Sequence, residues 1–246
     1  MPALFPSDWL ADAPYEDRDL GVLKAGKESE VYLVSRTGPT RTCFMAEKRF
    51  KPRLQRGFRN DYLYAGVWGE GTRHESRAIK KRTRFGQELL QARWEAHEWT
   101  TLGRLHAAGV TVPPPVERVE NGYRMAFIGD GDRAAPRLAD VDLDLLTARR
   151  VWRDLQREIR TILDAELVHG DLSAFNVLWW RETAVIIDFS QAVDAVVHPA
   201  ARDLLRRDVE RTAAYFRRQG VRFDLDAALA LVGDSPARFA HQVLSS

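Results

Sequence analysis

The chain has 246 residues, of which 45% are hydrophobic, and its 37 basic and 35 acidic residues leave a net charge of +2. This composition excludes a disordered chain and suits one compact domain of two lobes or two small domains. No apolar run approaches the roughly 20 residues that span a bilayer, and the start lacks a secretory signal pattern. The single cysteine excludes an internal disulfide. We therefore expect a cytoplasmic protein with no membrane partner, whose other partners depend on local charge.

The first half of the chain is predicted to be a small sheet with one helix. The turn at Gly26–Glu28 separates the first two strands, and the run TVPPP ends the helix. Residues 51–86 have weak periodicity and predict a mobile loop or an irregular helical insertion. The predicted strands are Leu20–Ala25, Val31–Val34, Cys43–Phe50 and Tyr123–Ile128, and the helix covers Gln87–His106 with Leu90, Trp94, Leu102 and Leu105 on one face.

The second half is predicted to be mainly helical. Its first helix, Leu145–Ala165, carries an apolar stripe formed by Val151, Leu155, Ile159 and Ile162. A β-rich lobe followed by an α-rich lobe is an α+β arrangement with a cleft between the lobes. We expect a single domain over 1–246, with lobes at about 1–128 and 136–246 and a hinge at about 129–135. The remaining predicted elements are strands Val177–Trp180 and Val185–Ile187, then helices Ala200–Gln219 (capped by Gly220), Asp224–Leu231 and Pro236–Leu244.

Two motifs in the second half carry residues suited to phosphoryl transfer: HGDLSAFN at His169–Asn176 and IIDFSQ at Ile186–Gln191. This reaction needs a carboxylate for the nucleophile's proton and oxygen ligands that hold Mg²⁺ against the phosphates. The motifs resemble the catalytic and metal-binding loops of protein kinases. That resemblance assigns Asp171 as catalytic base, and Asn176 and Asp188 as metal ligands. An ordinary pair of polar loops is the alternative.

A kinase also needs a lysine on the third strand, held by a glutamate from a helix. Lys48 lies on the predicted third strand, and Glu98 lies between Trp94 and Leu102 within the buried stripe of its helix. A buried carboxylate is costly unless a cation pairs with it. We therefore predict an ion pair between Lys48 and Glu98, although an exposed lysine and a glutamate at the helix edge remain the alternative.

Two further polar residues are predicted to be structural. His169 lies beside Asp171, and we expect it to pack beneath the loop and to hydrogen-bond the backbone. Asp208 falls on the apolar face of a helix, between Leu204 and Thr212. There a carboxylate can anchor the catalytic loop through backbone N–H groups, as it does in kinase-like folds.

The turn between the first two strands is a candidate phosphate site. The segment GKESEVY at Gly26–Tyr32 contains one glycine, which is a weak signal that a simple hairpin would also explain. Its position ahead of Lys48 strengthens the case. Backbone N–H groups, the Ser29 hydroxyl and Lys27 are the candidate phosphate contacts.

Together these segments resemble the RIO-type atypical serine/threonine protein kinases from about Gly21 to Phe216. GKESEVY resembles their phosphate loop, WEAHEWTTLGRLHAAGVTVPPP their main N-lobe helix with the connection after it, and MAFIGDGDRAAPRL their hinge. The most specific segment is IDFSQAVDAVVHPAARDLLRRDV after HGDLSAFN. Ser173 stands where conventional protein kinases usually have lysine. The Ala- and Arg-rich composition favours a bacterial member.

The resemblance implies a two-lobed protein-kinase-like fold without a long activation segment, and ATP with Mg²⁺ or Mn²⁺ as cofactors. It implies transfer of the γ-phosphoryl group to serine, by autophosphorylation or on a protein substrate, or a main role as an ATPase switch. Adenine would bond to the Ala126 carbonyl and the Ile128 amide. Lys48 is then catalytic together with Asp171, and the implied ATP-binding residues are Gly26, Lys27, Ser29, Val31, Lys48, Glu98, Met125, Ala126 and Ile128.

Two other functions stay open, and one surface has two interpretations. Kinases of small molecules or lipopolysaccharide sugars share HGDxxxxN, and a non-catalytic nucleotide-binding module is also compatible with the fold.

The region 48–84 is rich in Lys and Arg interleaved with Tyr62, Tyr64 and Trp68. It predicts either a contact with RNA or ribosomal particles, or a solvated insertion, and we favour the insertion.

Overall fold

The computed structural model describes residues 14–51, 77–78, 81, 83–234 and 239. The predicted insertion at 51–86 and the predicted helix Pro236–Leu244 therefore lie mostly outside the described residues. The chain forms two compact units: one contains the described residues up to Thr100 together with Pro114–Ala134, and the other contains Thr101–Pro113 and the chain from Ala135 onward. No helix within the described ranges is long and apolar enough to cross a membrane.

The first unit is built on a five-stranded antiparallel sheet of order β1-β2-β3-β5-β4. Its first strand starts earlier than predicted, and the strand after the Pro113–Pro115 run was not predicted. The prediction that this run ends the preceding helix is wrong, because that helix ends at Ala107 and is closed by Gly109, whose φ is 81° and whose N–H donates to the His106 carbonyl at 3.0 Å. Pro115 tolerates its place in a strand because an edge strand does not need every N–H group. The strands are β1 (Glu16–Ala25), β2 (Ser29–Thr37), β3 (Thr42–Phe50), β4 (Pro115–Val119) and β5 (Gly122–Ala126).

One face of this sheet carries a network of charged side chains. Arg36 donates to Asp17 at 2.7 Å and to Glu117 at 2.6 Å, while Arg124 donates to Glu47 at 2.6 Å. The Arg36 side chain is buried, and the Tyr15 ring lies 3.8 Å from its guanidinium. Because neighbouring residues of a strand point to opposite faces, the side chain that follows Glu47 points away from this network.

Helix α1 (Arg84–Ala107) is the long helix predicted from the sequence, and it begins three residues earlier than expected. Leu102 and Leu105 of its predicted stripe are buried, whereas the side chains of Leu90 and Trp94 lie outside the described residues. The residues that follow α1 pack within the second unit. Thr111 donates from its N–H and its hydroxyl to the Glu158 carboxylate at 3.0 and 2.7 Å, and its carbonyl accepts from the Ile186 N–H at 2.9 Å.

The predicted hinge region contains a short hairpin, β6 (Gly129–Asp130) and β7 (Arg133–Ala134), which was not predicted. A Cβ on Gly129 would lie 2.2 Å from the Arg133 carbonyl oxygen, so glycine is required for this close approach. The single-domain organisation, the lobe boundaries and the hinge stay predictions.

The second unit packs helices around two short two-stranded sheets. Its first helix, α2 (Leu145–Asp164), begins at the Asp144 cap, whose carboxylate accepts from the N–H groups of Leu146 and Thr147 at 2.9 and 3.1 Å. The predicted stripe of α2 is buried throughout. The other elements are β8 (Leu167–Val168), β9 (Val177–Trp180), β10 (Thr183–Ile186), β11 (Val193–Asp194), α3 (Ala201–Arg218) and α4 (Leu225–Val232).

The order of elements confirms the predicted α+β class, with the sheet in the first unit and the helices α2–α4 in the second. The strand pair β8–β11 was missed because each of its strands has two residues, too few to show a period. After Asp188 the chain passes through β11 and reaches α3 at Ala201, so no long activation segment intervenes, as predicted.

Candidate active site

In the first unit, Lys48 and Glu98 form the predicted ion pair. Lys48 lies on β3, where Val31 and Tyr123 are its partners on the neighbouring strands. Its ammonium Nζ donates to Glu98 Oε1, on α1. The Lys48 side chain is 7% exposed and that of Glu98 is fully buried. The alternative of an exposed lysine and a glutamate at the helix edge is therefore wrong.

This burial makes the pair informative about function. Moving two charges out of water costs several kcal/mol for each ion, so two apolar side chains would stabilise the sheet and helix at least as well. A buried pair of this kind is weak evidence for stability alone. It does hold the Lys48 side chain in one direction, as positioning a phosphate group requires.

The turn between β1 and β2 is tight and is fixed by backbone hydrogen bonds. The Gly26 N–H donates to the Ser29 carbonyl at 2.9 Å, and the Lys51 N–H donates to the Glu28 carbonyl at 3.0 Å. A Cβ on Gly26 would lie 2.9 Å from the Ser29 carbonyl oxygen. Lys27 is exposed at the tip of the turn, whereas Ser29 is half-buried and is the first residue of β2, so of the two only Lys27 lies in the turn itself.

The predicted adenine-binding segment begins at the end of β5. Met125 and Ala126 pair with Ala46 and Met45 of β3, and the Ala126 N–H donates to the Pro114 carbonyl at 2.8 Å. Ala126 and Ile128 are buried. This segment is thus part of the same sheet as Lys48, while its role in binding adenine stays a prediction.

In the second unit, His169 supports the loop that carries Asp171. Its Nε2 lies 3.2 Å from the Ile187 carbonyl, and its Nδ1 accepts from the Asp171 N–H at 3.3 Å. Both bonds form when the neutral ring carries its proton on Nε2. Burial lowers the pKa of His169, which favours that neutral form. The prediction that His169 packs beneath the loop and bonds the backbone is confirmed.

Asp208, on α3, anchors the same loop. Its carboxylate accepts from the Gly170 N–H at 2.7 Å and from the Leu172 N–H at 3.0 Å, so it binds both neighbours of Asp171. Burial raises the pKa of Asp208 to about 7, and the two N–H groups act in the opposite direction. This confirms the predicted anchoring contact.

The Asp171 carboxylate is half exposed and is approached by two side chains. Arg211 Nη1 donates to Oδ1 at 2.5 Å, and Asn176 Nδ2 lies 3.4 Å from Oδ2. A stronger bond runs from Asn176 Nδ2 to the Asp171 backbone carbonyl, at 2.9 Å. Because Nδ2 points to Asp171, the amide oxygen of Asn176 faces away from that bond.

Asn176 and Asp188 are brought together by the backbone. The Ile187 N–H, one residue before Asp188, donates to the Asn176 carbonyl at 3.0 Å. Asp188 has a φ of 69°, a left-handed conformation that is uncommon outside glycine and clusters at functional sites. Within the described part of the chain no cluster of three His, Cys, Asp or Glu side chains could hold a metal. One carboxylate with one amide instead suits a hard cation that shares its shell with phosphate and water.

Two arginines at this loop were not predicted to take part in the site. Arg207 donates from Nη2 to the Gly170 carbonyl, and Arg211 is the residue that binds Asp171. Both lie on α3 beside Asp208, at positions 207 and 211, one turn apart. That spacing was visible in the sequence, but α3 carries further arginines and nothing local distinguishes these two.

The basic region 48–84 is largely outside the described residues. Two of its described basic residues have partners in the first unit: Lys48 pairs with Glu98, and Lys51 pairs with Glu30 at 2.9 Å. These two cations are therefore neutralised within the first unit. The predicted contact with RNA or ribosomal particles stays a prediction.

Comparison with known proteins gives one family. The RIO domain model matches residues 68–228. The RIO-type serine/threonine-protein kinase Rio1 of Haloferax volcanii is 39% identical over 140 residues, 56% of this chain and 47% of that protein. The serine/threonine-protein kinase RIO3 of Caenorhabditis elegans is 31% identical over 219 residues, 86% of this chain and 39% of that protein. Human serine/threonine-protein kinase RIO1 is 36% identical over 129 residues, 52% and 22% of the two chains.

Each match covers only part of this chain and only part of the relative. The matched segments span less than half the length of each of these three relatives. The family match contains Glu98, Asp171, Asn176 and Asp188, while Lys48 lies before it. The alignment with RIO3 of Caenorhabditis elegans covers more of the chain than the family match does.

Proposed function

The chain belongs to the RIO domain family, and we propose that it is an ATP-dependent kinase that transfers the γ-phosphoryl group to a serine hydroxyl. The protein-kinase-like α+β fold goes with that membership. The acceptor serine belongs to this chain or to a protein substrate. A cytoplasmic location is part of the proposal and is supported by the ATP that the reaction consumes.

One observation carries the proposal. The Asp171 carboxylate is half exposed on a loop whose backbone is held on both sides of it by the buried Asp208 carboxylate. An ordinary polar loop does not need such an anchor, because solvent satisfies its backbone groups. A general base does need one, because small displacements of a catalytic group cost large factors in rate.

In the proposed reaction, Lys48 and Asp171 have different tasks. Lys48, held by Glu98, contacts phosphate oxygens of ATP, and Asp171 accepts the proton of the attacking hydroxyl. The bond from the serine oxygen to the γ-phosphorus forms as the bond to the bridging oxygen breaks, and ADP leaves with that oxygen. Loss of the Lys48 charge therefore weakens phosphate positioning, whereas loss of the Asp171 carboxylate removes the proton acceptor.

Asn176 and Asp188 are the residues that would hold a divalent cation, and we propose Mg²⁺ for it. The donor set is an amide oxygen and a carboxylate, the hard oxygen ligands that Mg²⁺ takes together with phosphate and water. When bound, the cation neutralises charge on the phosphate oxygens. Mn²⁺, which accepts similar ligands, is the alternative.

The experiment follows the fate of the γ-phosphoryl group. Wild type and Asp171→Asn are incubated with γ-labelled ATP and Mg²⁺, and label is measured in protein phosphoserine, in free phosphate and on added small hydroxyl compounds. We expect label on serine that disappears in the variant. Free phosphate alone would make the protein an ATPase switch, label on a small compound would make it a small-molecule kinase, and no label would remove the enzymatic proposal.

A further inference from the structure

Helix α3 contacts the catalytic loop through three side chains that lie within about one helical turn. Arg207 donates to the Gly170 carbonyl, Asp208 accepts from the N–H groups on both sides of Asp171, and Arg211 donates to the Asp171 carboxylate. The first two bind backbone and therefore shape the loop. Arg211 alone of the three binds the side chain of the proposed base.

The two oxygens of Asp171 have different surroundings. Oδ1 accepts from Arg211 Nη1 at 2.5 Å, a short charge-assisted bond. Among the described residues, Oδ2 has one long contact, with Asn176 Nδ2 at 3.4 Å. One oxygen is thus fixed, and the other is left with a weak contact that a substrate hydroxyl can replace.

Stability does not explain this contact. The side chains of Arg211 and Asp171 are 50% and 46% exposed, and ion pairs this exposed contribute little to stability. Asp208 already anchors the backbone of the loop. What Arg211 adds is a fixed direction for the carboxylate.

Arg211 also supplies a charge that the loop itself lacks. The segment His169–Asn176 contains no lysine or arginine, and the position two residues after Asp171 is Ser173, whose hydroxyl caps a short 3₁₀ turn by accepting from the Phe175 N–H. A carboxylate that works beside phosphate groups is repelled by them unless a cation lies close. Arg211 brings that cation from α3.

We propose that Arg211 is a positioning residue of the phosphoryl-transfer site. It holds Oδ1 of Asp171 so that Oδ2 accepts the proton of the attacking hydroxyl, and its charge reduces the repulsion between this carboxylate and the phosphates. The inference rests on the proposed kinase function. It assigns to Arg211 an effect on turnover and none on nucleotide binding.

The test compares Arg211→Ala and Arg211→Lys with wild type and with Arg218→Ala, which removes an exposed arginine from the same helix. The turnover number, the KM for ATP and the thermal midpoint are measured for each. For Arg211→Ala we expect a 10- to 100-fold loss of turnover, about the range for a misplaced catalytic group, with KM and midpoint unchanged. Arg211→Lys restores part of the turnover because it keeps the charge, and Arg218→Ala behaves as wild type.

Three results would overturn the inference. Unchanged turnover in Arg211→Ala would make the contact incidental, and faster turnover would mean that Arg211 masks the base. A loss shared by turnover, ATP affinity and thermal midpoint would make the role structural. Each of these requires a wild type that transfers phosphate, so a wild type that transfers none marks the failure of the proposed function and takes the inference with it.

Discussion

Asp208 and Gly170 are joined by a buried hydrogen bond of 2.7 Å, from the Gly170 N–H to Asp208 Oδ2. The other oxygen of Asp208 accepts from the Leu172 N–H. Between these two anchored residues lies Asp171, the proposed base. A carboxylate that is almost fully buried on α3 therefore fixes the backbone from which Asp171 acts.

We expect Asp208→Ala to destabilise the protein, because it leaves two buried N–H groups without an acceptor. Unsatisfied buried donors cost about 1–3 kcal/mol each, so the free energy of unfolding should fall by about 2–6 kcal/mol. Urea denaturation measures it, with Glu210→Ala, an exposed acidic residue of the same helix, as the control. A loss below about 0.5 kcal/mol, the range of ordinary surface substitutions, would contradict the anchoring role.

The pH dependence of stability should carry the signature of Asp208. Its pKa rises from 3.8 to about 7 on folding, so the folded protein binds this proton more tightly than the unfolded chain. The contribution of Asp208 to the free energy of unfolding is therefore largest at low pH and is lost as pH rises from about 4 to 7, by at most about 1.4 kcal/mol per unit. The free energy of unfolding of wild type minus that of Asp208→Asn should fall across that pH range and level off above it. A difference that stays constant or rises would contradict the raised pKa.

Removing one partner of the buried ion pair should cost more than removing both. Glu98→Ala leaves the Lys48 ammonium buried without its carboxylate, and such changes destabilise by about 3–5 kcal/mol. In Lys48→Met combined with Glu98→Leu, much of that loss should return because neither charge remains. The free energy of unfolding is measured for both variants by urea denaturation.

The control for this pair is Glu30→Ala. Glu30 pairs with Lys51 at 2.9 Å, but both side chains are partly exposed, so the change should cost far less stability than Glu98→Ala. Equal losses for Glu98→Ala and Glu30→Ala would mean that burial does not set the cost.

Gly170 should tolerate no side chain. Its φ is 79°, and a Cβ there would lie 2.2 Å from the Gln191 carbonyl oxygen, a backbone atom that cannot rotate away. Gly170→Ala should therefore destabilise by at least about 2 kcal/mol and reduce phosphoryl transfer, because the strain falls beside Asp171. Gly103→Ala is the matched control: nothing lies within 4 Å of its added Cβ, and alanine in a helix stabilises by up to about 1 kcal/mol. Thermal unfolding midpoints are measured for both variants. Equal midpoints would contradict the close approach of residue 170 to the Gln191 carbonyl.

The sequence predicted those contacts in which a polar residue interrupts an apolar pattern. Glu98 and Asp208 each occupy a position where a hydrophobic residue is expected, and a buried carboxylate needs a partner whose identity the motifs suggest. Both contacts are present. The same reasoning fails for Arg211, which lies on the exposed face of a helix where charged residues are ordinary.

Elements without a local signal were missed for related reasons. The start of β1, Glu16–Asp19, reads as a polar loop, yet its acidic side chains bind Arg36 and Arg49 across the sheet. The strand β4 begins at the last residue of a proline run that was interpreted only as the end of a helix. The two-residue strands are defined by their pairing with a distant strand, and hydrophobic periodicity along the sequence does not predict that pairing.

The measurement that tests the central claim most directly determines ATP affinity and phosphoryl transfer in one preparation of Asp171→Asn beside wild type. Because Asp171 is proposed to take the acceptor's proton and not to bind ATP, the Kd for ATP with Mg²⁺ should stay within about threefold while transfer falls by at least about 100-fold. Undiminished transfer in Asp171→Asn would contradict the assignment of Asp171 as the base, and with it the account of how this loop works.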